Sequence, residues 1–124
     1  MPVDIALNPH VRGDQWAGIG SIGPVTVDGA APVEALARVK MHFRKVGDNS
    51  KALGYGFDST VTSGFGVIVI GNAATWAVSV PEQALPLAEG KWNWDMEFYR
   101  TGVTLPWTLF RGVLEVLEDF TFNG

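Results

Sequence analysis

From Gly90 to Arg100 the chain reads Gly-Lys-Trp-Asn-Trp-Asp-Met-Glu-Phe-Tyr-Arg, with Trp92, Trp94, Met96 and Phe98 at every second position. A period of two puts these four side chains on one face of a β-strand, and Asn93, Asp95, Glu97 and Tyr99 on the other. A strand with one wholly apolar side has to cover that side with a second layer. Thr101-Gly102 then reads as a tight turn, and Leu105 to Thr121 as a long returning strand. This one stretch therefore asks for a hairpin with another layer above it.

A second alternation runs from Ala35 to Arg44: Ala35, Ala37, Val39, Met41 and Phe43 one way, Leu36, Arg38, Lys40, His42 and Arg44 the other. Period two over this length predicts a strand with one wet face. A helix would bring Arg38 and Met41 to the same side. Elsewhere the signals are shorter. Residues 4–7 suggest a short first strand stopped by Asn8-Pro9, and residues 15–22 and 24–28 two strand pieces broken at Gly23-Pro24. Asp28-Gly29 reads as a turn, as does Val46 to Lys51. Leu53 to Phe57 is a glycine-interrupted strand and residues 58–66 a loop. Val67-Ile68-Val69-Ile70 is apolar on both faces, as in a buried central strand. Trp76, Val78 and Val80 alternate in a further strand ended by Pro81, and residues 82–90 leave room for one short helical turn. Pro106 cannot donate a ladder hydrogen bond, so it marks an edge or a bulge.

The expected fold is all-β, an antiparallel β-sandwich, immunoglobulin-like or related, with about 7–9 strands and little or no helix. At 124 residues it is expected as a single domain over 1–124, with residues 1–10 free to act as an extended N-terminal arm. The predicted core is Val39, Met41, Phe43, Trp76, Val78, Trp92, Trp94, Phe98, Leu114 and Val116.

The formal charge of −4 and pI near 5.0 lack the basic footprint of a nucleic-acid or anionic-membrane binder. Cysteine is absent, which removes disulfides, thiolate metal sites and cysteine nucleophiles. The N-terminus lacks a basic region and a long apolar run, so no signal peptide is expected.

Several short motifs dissolve on inspection. Gly18-Ile19-Gly20-Ser21-Ile22-Gly23 matches G-x-G-x-x-G, but the phosphate-binding form needs a helix starting at its third glycine, and strand-like Pro24-Val25-Thr26-Val27 follows. Arg12-Gly13-Asp14 spells an integrin tripeptide but reads as a charged turn. His10 and His42 have no carboxylate or second histidine at ligand spacing and are expected to be solvated. Asp95 and Glu97 share a strand face at a separation compatible with paired-carboxylate chemistry, yet nothing around them suggests a cleft. Glu115, Glu118 and Asp119 read as a surface acidic cluster. No catalytic residue, cofactor site or metal site is therefore assigned. On the returning strand, inward Leu114 and Val116 turn Val113 and Leu117 outward, beside Phe110, as an apolar contact patch.

Two stretches carry a resemblance. Val11-Arg12-Gly13-Asp14-Gln15-Trp16, followed by Pro32-Val33 and the strand Leu36 to Arg44, resembles the "RGDTF … PVDLTG … R-x-Q-V-R" opening of bacteriophage baseplate and tail-fibre adaptor domains. Gly90-Lys91-Trp92-Asn93-Trp94-Asp95 through Gly112-Val113-Leu114-Glu115-Val116-Leu117-Glu118-Asp119-Phe120-Thr121 is similar to their "G-x-Y-x-Y-D-x … G-x-V-x-V-x-x-D-V-T" closing signature. The chain departs from them at Gln15, where Thr is usual, at Glu34-Ala35-Leu36-Ala37, which replaces the "DLTG" turn, and in having Trp at 92 and 94. The resemblance implies a non-enzymatic virion structural protein, assembled in the host cytoplasm. It would dock through an apolar patch, and by edge-strand pairing, onto other virion proteins or copies of itself in the tail, baseplate or fibre-attachment region. The partners are neither nucleic acid nor membrane. With no fibre or receptor-binding segment after Thr121, a capsid decoration role stands beside the adaptor role, and a carbohydrate-binding β-sandwich is the rival class. The candidate contact residues are Arg12, Asp14, Trp16, Trp107, Phe110, Val113 and Leu117.

Overall fold

The computed structural model describes residues 3–27, 29–47, 53–60 and 63–118, apart from the side chain of Leu53. The described chain is all-β. Its strands are β1 (Val3–Asp4), β2 (His10–Val11), β3 (Gln15–Trp16), β4 (Ile19–Ile22), β5 (Leu36–Lys45) and β6 (Leu53–Asp58), then β7 (Gly66–Val67), β8 (Val69–Asn72), β9 (Ala77–Val80), β10 (Gln83–Ala84), β11 (Gly90–Arg100) and β12 (Trp107–Leu117). Twelve strands exceed the expected seven to nine because five of them, β1, β2, β3, β7 and β10, are two-residue pairings. The main sheet has the order β1-β12-β11-β5-β6-β7, with β2 also on β12. A smaller sheet, β4-β9-β8, and the pair β10-β3 complete the fold.

The two long alternations form the centre of the main sheet. β11 pairs antiparallel with β12 on one side, Trp92 opposite Leu114, and with β5 on the other, Trp94 opposite Phe43. The inner face carries Val39, Met41, Phe43, Trp92, Trp94, Met96, Phe98, Leu114 and Val116, all buried, and Trp76 and Val78 join the same cluster. The predicted core is thus buried in full. Ile22, Val78 and Val80 bring the small sheet to this cluster, while Ile68, Leu85 and Leu87 enter it from connections. Two β-structured layers share one apolar interior, which is a β-sandwich-like arrangement.

Several local expectations change. Residues 24–27 form no strand, only an isolated bridge from Val27 to Ala30, and Trp76 lies in the turn before β9 rather than in the strand. Leu36, expected on the wet face, is buried. The pairing skips from Tyr99↔Arg38 to Arg100↔Leu36, so Ala37 is an extra residue and the alternation reverses there. Val67 to Ile70 is no central strand. Val67 and Val69 are each 45% exposed while Ile68 is buried, because the chain crosses at Ile68 from the main sheet (β7 on β6) to the small one (β8 on β9). The Gln83 amide serves the edge there, its Nε2 donating to the Val67 carbonyl and its Oε1 accepting from the Val67 N–H. Residues 82–90 contain β10 rather than a helical turn. Finally, β1 and β2 both run parallel to β12, where only antiparallel pairing was expected. The turn at 46–51, the Asp28 turn position and the end of the returning strand beyond 118 lie wholly or partly outside the described residues.

Candidate protein interface

Leu109 decides the geometry of the end of the hairpin. Met96 pairs with Phe110 but Glu97 pairs with Thr108, so Leu109 is bulged out of register. The bulge switches the alternation of β12. Phe110, Leu114 and Val116 share the inner face by parity, and Trp107 joins them opposite Phe98. An unbulged strand would have turned Trp107 outward.

Trp107 sits at the surface end of an aromatic column. Its ring lies 5.8 Å from that of Trp76, which stacks on Phe98 at 5.9 Å and 18°. Phe98 in turn meets Phe110 at 5.7 Å. Trp76 is fully buried and its indole N–H donates to the Glu34 carbonyl at 2.9 Å, although its φ of +59° is in the left-handed region that bulky side chains rarely adopt. The Arg100 guanidinium lies over the Trp107 ring, 3.9 Å from its centre. Two grooves flank the indole. One, of about 480 Å³, is lined by Val25, Thr26, Val27, Pro106, Thr108 and Leu109. The other, of about 220 Å³, is lined by Val27, Ala30, Pro32 and Val33. Close by in sequence, Val33 is 95% exposed and Leu105 74% exposed. Half-buried Trp107, flanked by one mixed and one mainly apolar groove and packed on the Trp76–Phe98 stack, has the form of a docking anchor.

The other expected contact residues disperse. Arg12 and Asp14 are exposed on the turn between β2 and β3, beside a groove formed with Leu85 and Leu87. Trp16, expected at the surface, is 3% exposed and packs on Phe43 and Phe57 at 5.9 and 5.4 Å. Pairing of β3 with β10 carries it into the core. Phe110 shares the inner face with Leu114, so it does not flank Val113 as expected. Val113 is 48% exposed on the outer face and Leu117 is half-buried. The seven residues therefore form no single patch. Trp107 is the one around which apolar surface gathers, while Val33 and Leu105 had no sequence signal beyond lying in Pro- and Gly-bearing loops.

The outer face of the main sheet is polar and internally paired. Lys40, His42 and Arg44 on β5 stand opposite Glu97, Asp95 and Asn93 on β11. His42 Nδ1 lies 3.7 Å from both Asp95 Oδ1 and Glu97 Oε1, and Arg44 reaches Asp95 at 4.0 Å. His42, expected to be solvated, has a side chain only 16% exposed. At the edge of this face the buried Asp58 carboxylate accepts from Arg38 Nε at 2.8 Å, from Arg38 Nη2 and from the Thr60 N–H at 2.9 Å. Burial alone would push its carboxyl up, but the Arg38 and Thr60 hydrogen bonds outweigh that and hold it below the usual range. Asp95 thus faces Arg44 and His42, and Glu97 faces His42 and the Tyr99 hydroxyl, on an open sheet face. Among the described residues no group of three or more His, Asp or Glu is placed to hold a metal ion.

His10 also departs from expectation. It is 5% exposed, its Nε2 has no hydrogen-bond partner among the described residues, and burial pulls its pKa below the ordinary imidazole value, partly opposed by the Asp14 carboxylate. Pairing of β2 with Val116 and Leu117 of β12 brings it inside. Compared with known proteins, the chain matches no family model, no curated protein and no solved structure.

Proposed function

We propose that this chain is a non-enzymatic structural protein of a bacteriophage virion, with an immunoglobulin-like or related sandwich that docks onto neighbouring virion proteins in the tail, baseplate or fibre-attachment region. The order and spacing of the opening and closing stretches, residues 11–44 and 90–121, support the virion assignment through their resemblance to phage adaptor domains. The observation that carries docking is half-buried Trp107 between two grooves, with Val33, 95% exposed, lining one of them and Leu105, 74% exposed, two residues before Trp107 in the chain. Trp107 is packed against the Trp76–Phe98 stack, so its ring has little conformational entropy to lose on binding. Burying it against a partner removes apolar area from water at about 25 cal/mol per Å².

Gradient-purified particles from a host carrying the gene provide the test. The chain should co-sediment with them in fixed ratio to the major virion proteins by mass spectrometry. Leu105→Ser with Val33→Ser should fold normally by circular dichroism yet be depleted from particles at least tenfold. Absence of the unaltered chain from particles would overturn the virion assignment. Full incorporation of the double variant would overturn the Trp107 end as the docking surface. Retention on a glycan array, lost with Trp107→Ala, would transfer the reading to the carbohydrate-binding class.

A further inference from the structure

Among the described residues, the outer edge of β12 is covered by β1 and β2 alone. Val3 and Asp4 pair parallel with Phe110 and Arg111, and His10 and Val11 with Val116 and Leu117. Between them the Ile5 N–H donates to the Arg111 carbonyl at 2.9 Å. Residues 3–11 therefore form a strap along one side of the hairpin. Without it an eleven-residue strand would present its unpaired N–H and C=O groups to solvent, a surface that pairs readily with other strands.

The edge is shaped for this strap. A Cβ at Gly112 would sit 2.5 Å from the Ile5 carbonyl oxygen and 2.9 Å from Trp94 Nε1, so the close approach requires glycine. Asp4 Oδ1 accepts from Arg111 Nε at 3.0 Å. The seal is nonetheless loose. Three buried side-chain polar atoms lack a partner among the described residues, and two of them, His10 Nε2 and Trp94 Nε1, lie in or beside the strap. A cavity of about 480 Å³ separates strap residues Ile5 to Val11 from Gln15 to Gly20. Both strap pairings are only two residues long, and Val3 is 56% exposed. Short ladders, unmet polar groups and solvent-exposed hydrogen bonds mark a segment that opens at low free energy.

We propose that residues 3–11 are an exchangeable strap, and that the β12 edge is an acceptor site for the same segment of a second copy of this chain. A strap arriving from another copy makes the same pairings, the same Asp4–Arg111 bridge and the same approach to Gly112 as the chain's own. Exchange therefore costs only the opening and the concentration of a partner. The point that must unfold is the turn after β2, where Gly13 has a φ of +93° and the Asp14 N–H donates to the Val11 carbonyl at 3.2 Å. The partner surface lies on the edge strand rather than at Trp107, and its test needs the purified chain alone, so its failure and that of the virion assignment are distinguishable.

The absence of native cysteine makes the experiment direct. Asp4→Cys and Arg111→Cys, opposite one another in the ladder, are prepared as separate variants, mixed, passed through mild urea and returned to oxidising buffer. Exchange gives a disulfide-linked heterodimer on a non-reducing gel, at least fivefold above either variant alone. Adding Gly112→Ala, the smallest side chain, to the Arg111→Cys chain should lower it at least fivefold, with circular dichroism checking that the chain still folds; a folded variant that forms the heterodimer undiminished would overturn the fit of the strap to this edge. The doubly substituted chain reports the closed form as an intrachain bond. An intrachain bond in that chain with no heterodimer from the mixture at millimolar concentration would overturn exchange. Failure of both bonds would overturn the placement of the strap itself.

Discussion

Arg38→Met would leave the buried Asp58 carboxylate without the guanidinium that now donates two hydrogen bonds to it. The Asp58 side chain is 2% exposed and that of Arg38 37% exposed. Removing one partner of a fully buried pair costs about 3–5 kcal/mol, while fully exposed pairs are worth less than about 1 kcal/mol. Here the anion is desolvated but the cation is half screened, so the expected loss is about 2–3 kcal/mol. For a chain of this size that is a fall in Tm on the order of 10 °C. The pH dependence gives a second signature. Because the folded-state pKa of Asp58 is depressed, its stabilisation is fully present above the unfolded carboxylate value, about 4, and is lost as pH falls through the folded value. In the variant burial pushes the carboxyl up instead, so protonation relieves the cost and the two proteins converge between pH 7 and pH 4. Urea unfolding at both pH values, followed by tryptophan fluorescence, measures this. A loss under about 0.5 kcal/mol at pH 7, or an equal loss at both pH values, would refute the assignment of a desolvated ion pair.

Trp94, 2% exposed, should cost about 3–5 kcal/mol as Trp94→Ala; an urea midpoint giving less than about 1 kcal/mol would remove it from the core. Its indole N–H has no partner among the described residues, so Trp94→Phe should be much milder, about 1 kcal/mol, with no hydrogen bond to lose. His10 is buried with its pKa lowered, and Asp14 is the charged group whose field reaches it. The unfolded or strap-open state therefore binds the proton more tightly, and strap stability is intact above about pH 6.5 and declines as pH falls below it. The hydrogen-exchange protection factors of residues 3–11 should fall from pH 7 to pH 5, and His10→Phe should flatten that fall. An identical profile in the two chains would exclude His10 as the cause.

The alternation of β5 and β11 was legible because a strand's period of two is a local property of the chain. Trp92, Trp94, Met96 and Phe98, with Val39, Met41 and Phe43, settled the faces before any partner was known. From them follow the hairpin, the buried layer and the all-β class. What the sequence could not carry is where the period breaks. Leu109 and Ala37 are ordinary strand residues, and only the pairing with β11 makes each an unpaired extra. One such insertion turned Trp107 inward, and the other buried Leu36. The short polar segments were equally silent. His10 and Trp16 stand in sequence as surface residues, yet two-residue pairings with β12 and β10 carry them inside. Their burial depends on contacts across the whole length of the chain, His10 with Val116 and Trp16 with Gln83, and no local pattern encodes those. Sequence alone thus determined the layered β class and its central faces. The tertiary pairing decided which aromatic residue reaches the surface and which edge the chain's own beginning covers.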